Sequence, residues 1–219
     1  MCGALDWENK NWATRAKAAE QTIAAKLGVP ATDVPELMDR MMQLPRWQKL
    51  QRNNSLGHGF RMLVSEVLRR WGDSRFEYRE EMKATEFFPG ITMPGRSAEP
   101  YIDVVAISKA RNKPKAVISC KWGVRHDRIS DPTNECTQYK AAAIQLQIMD
   151  LLYFVTTNEI SGQRLDKVLN QPCVDALVHV SLDFVSHVNG GFTEFMTAAK
   201  AATRLLDLEE LVQLTYTWP

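Results

Sequence analysis

Two acidic residues and a lysine, Asp103, Lys121 and Glu135, lie within a short stretch in the middle of the chain. Carboxylates are the usual protein ligands of Mg²⁺, and this ion keeps several of its waters, so two acids are enough to hold it. A bound metal ion lowers the pKa of its water, and a nearby lysine can stabilise negative charge developing on a phosphate. These residue types in this order indicate metal-dependent hydrolysis of a phosphodiester.

A β-hairpin is expected to position the aspartate and the lysine. Residues 101–108 and 116–119 are rich in β-branched side chains, and the residues between them, which include Asn112, are typical of a turn. A hairpin symmetric about Asn112 places Asp103 directly opposite Lys121. The alternative function of this pair is a cross-strand ion pair, worth only ~0.2–1 kcal/mol.

The side chains of this hairpin separate into a polar face and an apolar face. Side chains alternate along a strand with a period of two, so Asp103, Ser119 and Lys121 share one face. Ser119 has no role of its own in this scheme. The opposite face is apolar and is expected to be the side that packs on the core, with Ile102, Val104, Ala106, Ile118 and Cys120.

A helix is predicted to bring the second acid to the hairpin. Asp131 and Pro132 are typical of a helix N-terminus, as an N-cap followed by a proline in the first helical position. Glu135 then lies in the first turn, and a helix that returns over the sheet carries it towards Asp103 and Lys121. The alternative is that the helix dipole alone favours an acid at this position.

The residues after the lysine have the chemistry to read G·C base pairs. Arginine bonds to O6 and N7 of guanine, and an acid accepts a hydrogen bond from the amino group of cytosine. Arg125, Asp127 and Arg128 supply these groups, starting four residues beyond Lys121. A twofold dimer would extend the reading to a palindrome such as CCGG. The alternative to base reading is that these three charged residues simply form a solvated loop.

Together these residues resemble the PD-(D/E)xK nuclease superfamily, and within it the type II restriction endonucleases that recognise CCGG-containing sites. In that group a serine replaces the usual second acid, and a glutamate separated from the lysine by thirteen residues takes over its role. This chain has Ser119-Cys120-Lys121, thirteen intervening residues and then Glu135, with Arg-x-Asp-Arg beginning at Arg125. Ile102 stands where the motif has proline. The interval from Asp103 to the lysine is short, as in the related CCNGG and CCWGG cutters.

The resemblance implies a fold, an activity and a set of partners. It implies an α/β (α+β type) core, with a central mixed sheet flanked by helices, and Mg²⁺-dependent cleavage of double-stranded DNA that leaves a 5′-phosphate and a 3′-hydroxyl. Asp103, Glu135 and the backbone carbonyl of Cys120 would hold the metal. Lys121 would assist catalysis, and Glu66 would be a third acid unless it only pairs with Arg70. A homodimer and a cognate DNA methyltransferase are the implied protein partners.

The chain is predicted to divide into an N-terminal helical segment, residues 1–52, and an endonuclease catalytic domain, residues 53–219. The segment is expected to form two helices and to mediate dimerisation or DNA contact. A polar stretch follows it, in which Asn53 and Asn54 either read acceptors in the minor groove or belong to a simple linker. The domain is expected to contain helices at 56–71, 131–149 and 193–206, and strands at 75–83, 101–108, 116–119, 151–156 and 174–180.

Charge is unevenly distributed, although the whole chain carries a net charge of only +1. Residues 40–130 contain 18 Lys/Arg and 9 Asp/Glu, a net charge of +9, whereas residues 131–219 carry −6. Phosphate contacts are expected to concentrate in the basic stretch.

Other features of the sequence bound the class of protein. The chain has no apolar run long enough to cross a membrane and no secretory signal, and its four cysteines show no metal-binding spacing. These features fit a reducing cytoplasm, and the resemblance implies that it is the cytoplasm of a bacterium or archaeon. The alternatives to a restriction enzyme are another nuclease of the superfamily, acting in repair or transposition, and a DNA-binding protein without catalysis.

Overall fold

The fold is built on a six-stranded mixed sheet whose strands lie side by side in chain order. The structure is a computed structural model that describes residues 55–94, 98–124, 131–159 and 161–219. The first three strands are antiparallel, and the third to sixth are parallel. The strands are β1 (Phe76–Lys83), β2 (Tyr101–Ser108), β3 (Lys113–Lys121), β4 (Leu152–Thr157), β5 (Ala176–His179) and β6 (Leu205–Asp207).

Helices connect the parallel strands and cover both faces of the sheet, which confirms the predicted α/β class. Antiparallel neighbours can be joined by tight turns, whereas each parallel connection needs a crossover. Here every parallel connection contains helix. The helices are α1 (Ser55–Trp71), α2 (Asp131–Gln145), α3 (Gly162–Leu169), α4 (Leu182–Val188), α5 (Glu194–Ala201) and α6 (Leu208–Thr215). A short 3₁₀ turn, Ala84–Glu86, follows β1.

Two hydrophobic clusters, one on each face, hold the sheet in place. On one face α1 and α6 pack against Val104, Ala106, Ile118 and Cys120. On the other, helices α2 to α5 pack against a second set of strand residues, among them Val105, Ile107, Val117 and Val155. The apolar face of the hairpin thus packs on the core as predicted, and the face that carries Asp103, Ser119 and Lys121 is also covered by helices. Ile102 also belongs to the second cluster, rather than to the cluster of Val104.

The hairpin of β2 and β3 forms as predicted, but its register differs. Val104 pairs with Ile118, so the next position places Asp103 across from Ser119 rather than from Lys121. The turn is centred between Ala110 and Arg111 rather than on Asn112, because Ser108 pairs with Lys113. An extra residue of β3 opposite the Ala106–Ile107 step then shifts the pairing by one residue. Because the difference is two residues, Asp103, Ser119 and Lys121 still share one face.

Most predicted elements are confirmed, and the exceptions lie towards the C-terminus. The predicted helix at 193–206 is wrong beyond Ala201, because Thr203 adopts a left-handed φ of 58° and the chain then enters β6. Helix α2 ends at Gln145 rather than near 149, where Gln147 has a φ of 57° and Ile148 N–H bonds to the carbonyl of residue 143 at 2.8 Å. Helices α3, α4 and α6 were not predicted.

Some predictions fall on residues that the structure does not describe. The two helices of the N-terminal segment and the boundary between residues 52 and 53 lie outside the described ranges. Within the described ranges, no helix is both long enough and apolar enough to span a membrane.

Candidate active site

Lys121 lies between two carboxylates that come from different elements. Its Nζ atom is 3.6 Å from Oδ2 of Asp103, on β2, and 3.7 Å from Oε1 of Glu135, on α2. Lys121 is the last residue of β3. Its side chain lies on the face of the sheet that α2 covers. About a quarter of the Asp103 and Lys121 side chains is exposed, at 27% and 28%. The structure therefore brings the three predicted residues together at a place that solvent reaches.

The backbone of β3 fixes the carboxylate of Asp103. The N–H of Cys120 donates a hydrogen bond to Oδ2 of Asp103 at 2.8 Å, and the Ser119 hydroxyl is 3.5 Å from the same oxygen. The side chain of Cys120 points to the opposite face and is buried there, and this burial raises the pKa of its thiol. A thiol so placed takes no part in the site. Coordination by the Cys120 carbonyl stays a prediction.

Glu135 reaches the site as the fifth residue of α2, just beyond the first turn in which the sequence predicted it. Asp131 is the first helical residue rather than the cap that precedes the helix. Glu135 is buried, and its Oε2 atom accepts two hydrogen bonds at 3.0 Å, from the hydroxyls of Ser119 and Tyr153. Ser119, for which the sequence predicted no role, thus links both acids of the site.

Tyr153 is a member of the site that the sequence prediction missed. It lies on β4 and is fully buried. Burial, followed by the neighbouring charge of Glu135, raises the pKa of the Tyr153 phenol well above its ordinary value, so the hydroxyl keeps its proton and donates. Its place in the site depends on strand pairing: β4 pairs in parallel with β3, and Tyr153 aligns with Val117, on the face of Ser119 and Lys121.

Glu66 does not join this cluster among the described contacts. Its carboxylate accepts a hydrogen bond from Nε of Arg70 at 3.2 Å and lies 3.7 Å from Arg69. Helix α1, which carries Glu66, packs on the opposite face of the sheet from α2. The structure thus shows the ion pair that the sequence left open as the alternative, and a metal-binding role for Glu66 gains no support.

The predicted base-reading residues Arg125, Asp127 and Arg128, and also Asn53 and Asn54, lie outside the described residues. The chain on either side of residues 125–130 is described. On one side Val124 N–H bonds to Oε2 of Glu159 at 3.0 Å, and on the other α2 begins at Asp131. The predicted reading segment therefore joins the two elements that carry Lys121 and Glu135.

The two carboxylates of the site are of the kind that could hold Mg²⁺. Within the described ranges no group of three or more His, Cys, Asp and Glu side chains is arranged to hold a metal. Mg²⁺, however, is often bound by one or two carboxylates and its own waters. Asp103 and Glu135 present two carboxylates to the same lysine, and Asp103 is partly open to solvent. This donor set suits a hard, hydrated cation better than zinc, which favours nitrogen and sulfur ligands.

No protein-family model matches this chain, and a search of curated proteins finds no significant match. The geometry of the site therefore carries the functional argument.

Proposed function

We propose that this chain is a type II restriction endonuclease of the PD-(D/E)xK superfamily, which cuts double-stranded DNA at a palindrome with a CCGG-like core. The observation that carries the proposal is the position of Lys121, whose Nζ atom lies 3.6 Å from an oxygen of Asp103 and 3.7 Å from an oxygen of Glu135. These residues come from two strands and a helix, and the folded chain brings them to one face of the sheet.

Each residue has a defined task in the proposed reaction. Asp103 and Glu135 would hold Mg²⁺, which supplies charge neutralisation at the phosphate and a water of lowered pKa. Lys121 would orient that water or stabilise the charge that develops on the phosphate. Ser119 holds Glu135 rather than replacing the acid of the usual motif. In-line attack on phosphorus breaks the bond to the 3′ oxygen, leaving a 5′-phosphate and a 3′-hydroxyl.

The order of elements supports the superfamily assignment. Helix α1, strands β1 to β3, helix α2 and strand β4 follow one another as the resemblance implied, in a mixed sheet covered by helices on both faces. The site lies at the end of the hairpin strand that leads into α2.

The proposed base recognition depends on residues 125–128 and on symmetry. Arg125 and Arg128 would each bond to guanine and Asp127 to cytosine, in a half-site that a homodimer repeats on the other strand. Because residues 40–130 carry a net charge of +9, the backbone of the duplex would be attracted to this part of the chain. A cognate methyltransferase, in the cytoplasm of a bacterium or archaeon, would protect the host DNA.

A lysine variant tests the catalytic role directly. We expect Lys121→Met to abolish Mg²⁺-dependent cleavage of plasmid DNA while leaving DNA binding, measured by gel shift in Ca²⁺, within a few-fold of wild type. The loss follows because the variant removes the cation facing both carboxylates.

The same strand supplies a matched control in Lys115, a buried lysine that pairs with Asp150 at the far end of β3. Lys115→Met also breaks a lysine–carboxylate pair, but it leaves the site untouched and should retain cleavage below its melting temperature. Normal cutting by Lys121→Met would contradict the proposed role. Equal loss in both variants would point to a structural ion pair, and so to the DNA-binding alternative.

A further inference from the structure

The two oxygens of Glu135 are held in different ways. Oε2 accepts hydrogen bonds from the hydroxyls of Ser119 and Tyr153, both at 3.0 Å. Oε1 faces Lys121, with 3.7 Å between the oxygen and Nζ. One oxygen is therefore anchored by neutral donors, and the other is turned towards the cation and the opening beside Asp103.

The hydroxyl of Tyr153 is itself fixed by several independent contacts. Its ring is fully buried and stacks on Tyr139, with 6.2 Å between centroids and 26° between planes. Its backbone N–H donates to Oδ2 of Asp175 at 2.7 Å, and its carbonyl accepts from the N–H of Asp175 at 3.0 Å. A phenol held in this way can restrict the rotation of a carboxylate bonded to it.

We propose that Tyr153 is a positioning residue for Glu135. The Tyr153 hydroxyl anchors Oε2 of Glu135, so that Oε1 of the same carboxylate is presented to a divalent cation beside Lys121 and Asp103. This inference rests on the proposed nuclease function, because it assigns the purpose of the anchoring to metal binding. Groups that hydrogen-bond a ligating carboxylate orient it, and removing them typically weakens metal affinity or activity by roughly 10- to 100-fold.

Packing alone does not account for the hydroxyl. The ring fills the core whether or not it carries oxygen, and a phenylalanine would make the same stacking contact. Tyr78 provides the comparison: it is also a buried tyrosine, and its hydroxyl donates to a backbone carbonyl, that of Asp73, at 3.3 Å. Tyr78 packs in the cluster on the other face of the sheet. The two tyrosines differ chiefly in whether the acceptor is a carboxylate of the site.

The test compares Tyr153→Phe with Tyr78→Phe in the full chain. The Mg²⁺ concentration for half-maximal cleavage is measured, and Mn²⁺ binding is followed separately by electron paramagnetic resonance of the free ion. We expect Tyr153→Phe to raise the half-maximal Mg²⁺ concentration, and to weaken Mn²⁺ binding, by roughly 10-fold or more. Tyr78→Phe should leave both values at wild type, although urea unfolding shows a comparable loss of stability in the two variants.

A second variant keeps the proposal testable if Tyr153→Phe folds poorly. Ser119→Ala removes the other donor to Oε2 and leaves the Tyr153 ring in place, and it should likewise weaken Mn²⁺ binding. Unchanged Mn²⁺ binding in Ser119→Ala would contradict the anchoring of Oε2. Wild-type metal dependence in Tyr153→Phe would overturn the positioning role and leave the nuclease proposal intact. If the wild-type chain neither cuts DNA nor binds Mn²⁺, the nuclease proposal fails and takes this inference with it.

Discussion

At the scale of single residues, the site balances two negative charges in a small space. Asp103 and Glu135 both approach Lys121, which neutralises one of them. The second is offset by donors that carry no charge: the N–H of Cys120 on Asp103, and two hydroxyls on Glu135. With both acids ionised, Asp103, Lys121 and Glu135 together sum to one unit of negative charge, which the proposed divalent cation would offset.

Base discrimination is also a residue-scale property and can be tested separately from cleavage. We expect Arg128→Ala to lose discrimination at one G·C pair of the site. A bidentate contact to guanine is worth ~1–3 kcal/mol, or roughly a 5- to 150-fold preference. The measurement is the cleavage rate on a set of duplexes that each carry one substituted base pair.

The control for this prediction is Arg111→Ala. Arg111 lies in the turn between β2 and β3, at the opposite end of the hairpin from Lys121, and 63% of its side chain is exposed. Its loss should change the rates on all duplexes by a similar factor. An unchanged pattern of preferences in Arg128→Ala would remove the reading role from that residue.

At the scale of elements, a buried network joins the ends of β4 and β5 next to the predicted reading segment. His179 Nδ1 accepts from the N–H of Ser181, so Nε2 carries the proton and donates to the carbonyl of Glu159, both at 2.9 Å. The Glu159 carboxylate in turn holds Val124 N–H and Arg164. The neutral imidazole is thus part of the support for the end of β3.

This network predicts a pH-dependent stability. Burial lowers the pKa of His179 from 6.5 to about 4, so the unfolded chain binds a proton more readily than the folded one. The resulting stability is present above pH 6.5 and is lost as the pH falls towards about 4. We expect His179 to account for a loss on the order of 2–3 kcal/mol in the free energy of unfolding, as measured by urea titration.

His179→Gln isolates this contribution from that of the carboxylates. The difference in unfolding free energy between pH 7 and pH 4.5 should be smaller in the variant than in the wild type. His187→Gln, at an exposed position on α4, should leave the difference unchanged. The same pH dependence in wild type and His179→Gln would show that the buried imidazole does not drive it.

The sequence was sufficient for elements whose signal is local. Alternation along β2 and β3, and an aspartate–proline pair at the start of α2, predicted the elements that hold Asp103, Lys121 and Glu135. The register could not be predicted in the same way, because it depends on where the turn is centred and on a bulge after Ala106. Tyr153 was missed because its role depends on which strand lies beside β3, a tertiary property that alternation within β4 does not show.

The C-terminal part of the chain shows the same limit. A run of alanines and leucines suggested one long helix, but Leu205 and Leu206 are buried as the edge strand of the sheet. There, pairing with β5 outweighs helix propensity. A usable signal did exist in Asp207 and Glu210, which form a capping box at the start of α6.

At the scale of the whole molecule, charge and symmetry determine how the site would meet DNA. The basic residues of the chain are concentrated in residues 40–130, which include β1, the β2–β3 hairpin and Lys121, whereas the later part is acidic. Under the proposed function, attraction to the phosphate backbone would act on the part of the chain that carries Lys121. One chain carries one such site, so the proposed homodimer would place one site on each strand of a palindrome.

The most direct test of the central claim is to sequence the ends of DNA fragments produced by the purified protein. Phage DNA is incubated with the full chain and Mg²⁺, with Lys121→Met and an EDTA reaction as controls. The account predicts discrete fragments that appear only with the wild-type chain and Mg²⁺, and whose ends share a CCGG core and carry 5′-phosphates. Intact DNA under all conditions, or fragments with random ends, would contradict it.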